Sequence, residues 1–101
     1  MANAKDELLY AVNGLAKIKC ASISFNRFCD IIELFLKVNY TEEDYFTFLE
    51  ELNFNYDDGF GGQELFGTVW LEDGTWLSRG EYDGSEWWEH NVLPPIPEEC
   101  L

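Results

Sequence analysis

After Lys37 the chain carries a single basic residue, Arg79, against sixteen Asp and Glu. The other five bases (Lys5, Lys17, Lys19, Arg27, Lys37) sit in the first 37 residues beside four acids (Asp6, Glu7, Asp30, Glu33), so residues 1–37 carry +1 and residues 38–101 carry −15, which sum to the net charge of −14. This shortage of cations argues against direct binding to nucleic acid or to an anionic membrane, both of which depend on Lys and Arg. No run of about 18 apolar residues exists to form a membrane helix. Acids at Asp6 and Glu7 stand where a secretory signal would have its basic and apolar regions, which predicts a cytoplasmic protein. Cysteine and histidine are also scarce. Cys20, Cys29 and Cys100 are odd in number and lack C-x-x-C spacing, and His90 is the lone histidine. The sequence therefore predicts free thiols, no disulfide framework, no metal site and no cofactor.

What is present is a core. Of the 101 residues 47% are hydrophobic and 17% aromatic. Disordered acidic tails lack such a payload. The length predicts one domain, residues 1–101. The charge repels itself in the compact state, so it contributes solubility and attraction toward positive surfaces rather than stability.

Asn3 with Asp6 three positions on predicts the start of a first helix, with Leu8, Leu9, Val12 and Leu15 as its apolar stripe and Gly14 as its stop. Residues 17–25 alternate as a strand, with a slip at Cys20-Ala21 that predicts a bulge. Residues 30–38 are apolar enough for a central strand paired with the first as a hairpin, although a helix fits so short a run too. Thr41-Glu42-Glu43-Asp44 is a capped helix start, and Tyr45, Phe46, Leu49 and Leu52 continue it over about 42–52. Residues 53–65 read as an ordered loop. Three strands follow: Leu65 to Glu72, Thr75 to Tyr82 and Ser85 to Val92. Asp73-Gly74 and Asp83-Gly84 separate them as type I′ turn pairs. The tail Pro94-Pro95-Ile96-Pro97 is extended. The predicted fold is α+β: an antiparallel sheet of four or five strands, its last three a meander, with two helices packed on one face.

Catalytic patterns are missing. Gly59-Phe60-Gly61-Gly62 lacks the Lys and Ser/Thr of a phosphate loop, and Asp57 and Asp58 would repel a phosphate. Asp57-Asp58-Gly59 and Glu72-Asp73-Gly74 lack the spacing of calcium loops. No Ser or Cys is paired with a histidine in a nucleophile motif, so the sequence predicts no enzyme. Of the four tryptophans, Trp87 and Trp88 are adjacent. On a strand they face opposite sides, so one is core and the other faces solvent, a helix or a partner. An exposed one beside Glu86 and Glu89 would be an aromatic anchor in an acidic rim. Arg79 is expected to pair across strands with Glu72, Glu81 or Glu89.

The stretch from Gly67 to Glu89 (including Trp70-Leu71-Glu72-Asp73-Gly74-Thr75-Trp76 and Arg79-Gly80-Glu81-Tyr82-Asp83-Gly84-Ser85-Glu86-Trp87-Trp88-Glu89), then Pro95-Ile96-Pro97-Glu98, resembles small acidic proteins encoded by bacteriophages and prophages. Tyr56-Asp57-Asp58-Gly59-Phe60-Gly61-Gly62-Gln63-Glu64-Leu65 is similar to the same group, for which no activity is established. In composition the chain also resembles phage DNA mimics. These resemblances imply a bacterial host cytoplasm and an inhibitor of the anti-CRISPR or anti-restriction type. Its partner would be a host protein with a basic nucleic-acid-binding groove, filled by carboxylates spaced like phosphates. The alternative is a phage structural or accessory protein whose acidity serves solubility. The predicted partner-binding residues are Glu42, Glu43, Asp44, Asp57, Asp58, Glu72, Asp73, Asp83, Glu86, Trp87, Trp88 and Glu89.

Overall fold

The computed structural model describes residues 2–27, 30–57 and 62–101. Cys29, Asp58 and the Gly59-Phe60-Gly61 part of the glycine loop lie outside the described residues. The elements run β1 (Ala2–Asn3), α1 (Ala4–Val12), β2 (Ile18–Arg27), β3 (Asp30–Leu36), α2 (Glu42–Glu51), β4 (Asn55–Tyr56), β5 (Leu65–Leu71), β6 (Trp76–Tyr82) and β7 (Ser85–Asn91), with a short 3₁₀ turn at Glu98–Cys100. Five antiparallel strands form one sheet in the order β3-β2-β5-β6-β7, and β1 pairs with β4 in a second, two-stranded sheet. The architecture is α+β, and β5, β6 and β7 are the meander.

Both helices start as their sequences dictate. The Asn3 side chain accepts the Asp6 N–H at 3.0 Å. At α2 the box is reciprocal: Thr41 Oγ1 accepts the Asp44 N–H and the Asp44 carboxylate accepts the Thr41 N–H, each at 3.0 Å. Two otherwise unpaired backbone donors are thereby satisfied.

One face of the sheet is the core. Ala21, Ile23 and Phe25 of β2, Leu34 and Leu36 of β3, Leu65, Val69 and Leu71 of β5, and Leu77 of β6 are buried there. Ala4 and Leu8 of α1 and Phe48, Leu49 and Leu52 at α2 cover them. Each of the Leu, Ile, Val and Phe side chains, fully buried, contributes on the order of 1.5–3 kcal/mol relative to exposure. The helices owe their stability to this packing, because segments of nine and ten residues are marginal alone.

Four details differ from the sequence reading. The β2 bulge falls between Ile18 and Cys20, at Lys19, one position before the predicted slip. It keeps Ile18 on the core side with Ala21, Ile23 and Phe25. Residues 30–36 are a strand, but an edge strand rather than a central one. Residues 53–65 include β4, which hydrogen-bonds to the start of the chain, a pairing across some fifty residues that no local pattern signals. Of the two Asp-Gly turns only Asp83-Gly84 has both residues at positive φ (52° and 89°), as a type I′ turn requires. At Asp73-Gly74 only the glycine does, at 86°.

Candidate partner-binding surface

The predicted site residues separate into three places. Glu42, Glu43 and Asp44 form the first turn of α2 and are exposed. Glu72 lies near them: its N–H donates to the Lys17 carbonyl at 2.8 Å. Burial, then the charges of Tyr45 and Glu72, raise the pKa of Tyr40. Tyr40 in turn shares a pocket wall with Glu42 and Tyr45. The turn after β5 is thus joined to the start of α2. Asp73 accepts the Thr75 hydroxyl at 2.6 Å and its N–H at 3.0 Å, and these bonds hold its carboxyl below the usual range.

Asp57 and Asp83 are at the opposite end of the sheet. The Asp57 N–H donates to Glu64, whose own backbone carbonyl receives the Asn26 N–H near the end of β2. Asp83 is the first residue of the tight turn between β6 and β7. Asp57 and Asp83 therefore do not converge with Glu42 on one point.

Glu86 corrects the sequence reading. It was expected in an exposed rim, but its side chain is 0% exposed. Strand alternation decides this: Glu86 and Trp88 face the core, and Trp87 and Glu89 face away. Glu86 accepts the backbone N–H groups of Glu64 (2.7 Å) and Leu65 (3.1 Å) and the Arg79 Nη2 donor (2.9 Å). Arg79 Nη1 donates to Glu7 at 2.8 Å, and Nη2 also donates to the Tyr56 hydroxyl at 2.8 Å. Its guanidinium stands 4.9 Å from the Trp88 ring centre. The partners of Arg79 are thus Glu7 and Glu86, not Glu72, Glu81 or Glu89. Glu86 is not available as an open partner contact, and Trp88 is partly buried against the core.

Trp87 does stand on the outer face. Its Nε1 donates to Glu89 at 2.9 Å, and its ring covers Gly80, where an added Cβ would come within 2.5 Å of that nitrogen. Trp70, Phe35 and Tyr82 are also exposed on this face.

Sequence reasoning missed the far half of the acidic helix. Glu50 and Glu51 are exposed on α2, and Phe46 lies exposed between them and Glu42-Glu43. The 3.6-residue period places 42, 43, 46, 50 on one side of the helix, so this surface was readable from spacing. Among the described residues both ion pairs are made by Arg79, and no group of three or more His, Cys, Asp or Glu could hold a metal. No helix is long and apolar enough to cross a membrane. No protein-family model, curated protein or solved structure matches the chain.

Proposed function

We propose that the protein is a phage-encoded acidic inhibitor that binds a host nucleic-acid-handling protein and occupies its basic groove. The observation that carries this reading is α2. It places five exposed carboxylates (Glu42, Glu43, Asp44, Glu50, Glu51) within ten residues, with no base among them. Glu72 extends the row at its start. The single base of residues 38–101, Arg79, is consumed in the core by Glu7 and Glu86 and offsets none of this surface charge. A strip of this kind attracts Lys and Arg of a nucleic-acid channel from a distance, speeds encounter, and is weakened by salt.

The test is capture from a bacterial lysate at low salt, followed by elution with double-stranded DNA. A nucleic-acid-binding protein that DNA releases, and that high salt also releases, agrees with mimicry. Retention in excess DNA overturns it. A second reading, a non-inhibitory phage structural or accessory protein, is favoured by the spread of acids to both ends of the sheet, with Glu81 and Asp83 far from Glu72 and Asp73. Under that reading no nucleic-acid-binding protein is captured.

A further inference from the structure

β3 closes one side of the main sheet and, among the described strands, has a partner on its β2 side only. Edge strands are usually shielded by shortness, a bulge, proline or charged side chains. β3 has no bulge or proline over its seven residues, and its charged side chains are Asp30 and Glu33. It runs in unbroken register with β2 over seven residues, from Asp30 opposite Arg27 to Leu36 opposite Ala21. Alternate residues therefore direct their backbone N–H and C=O groups away from β2. On the outer face of the sheet Ile31 (67% accessible) and Phe35 (60%) stand on either side of the exposed Glu33.

On the core side, α2 runs beside this edge. Between them lies a groove of about 310 Å³ whose lining includes Phe35, Lys37, Glu43, Asp44 and Glu51. Three carboxylates face one ammonium there. A strand laid against β3 would place alternate side chains over Ile31 and Phe35 and the intervening ones toward α2. The two walls differ in chemistry: the outer one is apolar at Ile31 and Phe35 with a single carboxylate, Glu33, between them, and the α2 one is acidic. We propose that the β3 edge and α2 form a docking site for an extended segment of a partner protein in which Lys or Arg alternates with apolar residues, added to the sheet as a sixth strand. Charge selects this occupant over a second copy of the chain, because pairing two β3 edges would bring two acidic α2 helices together. The proposal rests on the edge and the groove and stands whether or not the partner handles nucleic acid.

The probe is a seven-residue peptide alternating Lys and Val, with a Glu-Val copy as control. Amide hydrogen exchange is followed along the full chain. The Lys-Val peptide is expected to slow exchange within residues 30–36, and the Glu-Val copy is not. The exposed pair Glu43→Lys/Glu51→Lys should weaken binding at least tenfold. Glu98→Lys/Glu99→Lys, on the tail, changes the net charge equally and should leave affinity within about twofold. Protection of residues 85–91 instead of 30–36, an equal loss in the tail variant, or no binding at millimolar peptide would each overturn the proposal. So would protection of 30–36 that rises with the protein's own concentration, which would identify a second copy as the occupant.

Discussion

Arg79 and Glu86 are a diagonal pair on β6 and β7, 2.9 Å apart, with side chains only 2% and 0% exposed. The turn at Asp83-Gly84 sets their meeting. It fixes Arg79 opposite Trp88 and Glu81 opposite Glu86, so Arg79 reaches Glu86 across one step of the ladder. Glu86 also receives the N–H groups of Glu64 and Leu65, so one carboxylate ties the meander to the entry of β5. Glu7, from α1, closes the cluster on the other side of Arg79.

Removing one member of a buried pair leaves the other charged and desolvated. Arg79→Met should therefore lower stability by about 3–5 kcal/mol. Glu86→Gln keeps the shape and should cost less. The double variant should fall short of the sum of the two, because the second change removes the orphaned charge. Urea unfolding of the three variants measures this. A loss below about 1 kcal/mol in Arg79→Met would contradict the buried cluster.

The same cluster sets a pH dependence on the alkaline side. Burial, then the hydrogen bond to Glu7, hold the Tyr56 phenol well above its ordinary 10.0, with Arg79 opposing. Above pH 10 the unfolded chain has lost this proton while the folded protein keeps it. The stabilisation is thus fully present below about pH 10 and is lost as pH rises from there toward the folded value. Tyr56 should ionise well above pH 10 in an ultraviolet titration. Tyr56→Phe should flatten the fall of the urea midpoint above pH 10. An unchanged slope in that variant would show that Tyr56 does not set it.

The elements were legible where the signal is local. Thr41 with Asp44, and Asp83 with Gly84, encode their own geometry within four residues. What was not legible depends on strand order. Ile31, Ile32 and Phe35 look like a buried run, and nothing within residues 30–38 says that β3 has one neighbour rather than two. Glu86 was misread for a related reason. Its acid neighbours suggested a rim, and its burial follows from the Arg79 position that only the hairpin register supplies. The α2 acids were half read: the capping box drew attention to Glu42-Asp44, while Glu50 and Glu51 belong to the same exposed helix.

Gly67 tests the close approach of β5 to β2. Its φ is +155°, and an added Cβ would lie 2.5 Å from the Ser22 carbonyl oxygen and 2.9 Å from the Ile23 Cα. Both are backbone atoms of the neighbouring strand, so neither can swing aside. Gly67→Ala should cost at least about 1–3 kcal/mol, read as a lowered melting temperature. Gly80→Ala meets only the side chains of Trp87 and Glu89. It should change tryptophan fluorescence more than stability.

The two ends of the acidic helix should respond differently to charge reversal. At Glu42 and Glu43 the carboxylates face the positive end of the helix dipole, whereas Glu50 and Glu51 face the negative end, where α2 has no basic residue. Mutual repulsion among the acids would make every Glu→Lys change stabilising. The dipole adds to that gain at Glu50 and Glu51 and opposes it at Glu42 and Glu43, by about 0.3–1 kcal/mol per charge at low salt. Glu50→Lys/Glu51→Lys should therefore raise the unfolding midpoint, and Glu42→Lys/Glu43→Lys should leave it unchanged or lower it. The difference should shrink in high salt, since exposed charges are screened beyond about 10 Å at 0.1 M. Equal shifts in both pairs would mean that repulsion over the whole surface, rather than the local helix field, sets the energy. Both variants keep Thr41 and Asp44, so the cap stays intact and the comparison reads electrostatics alone.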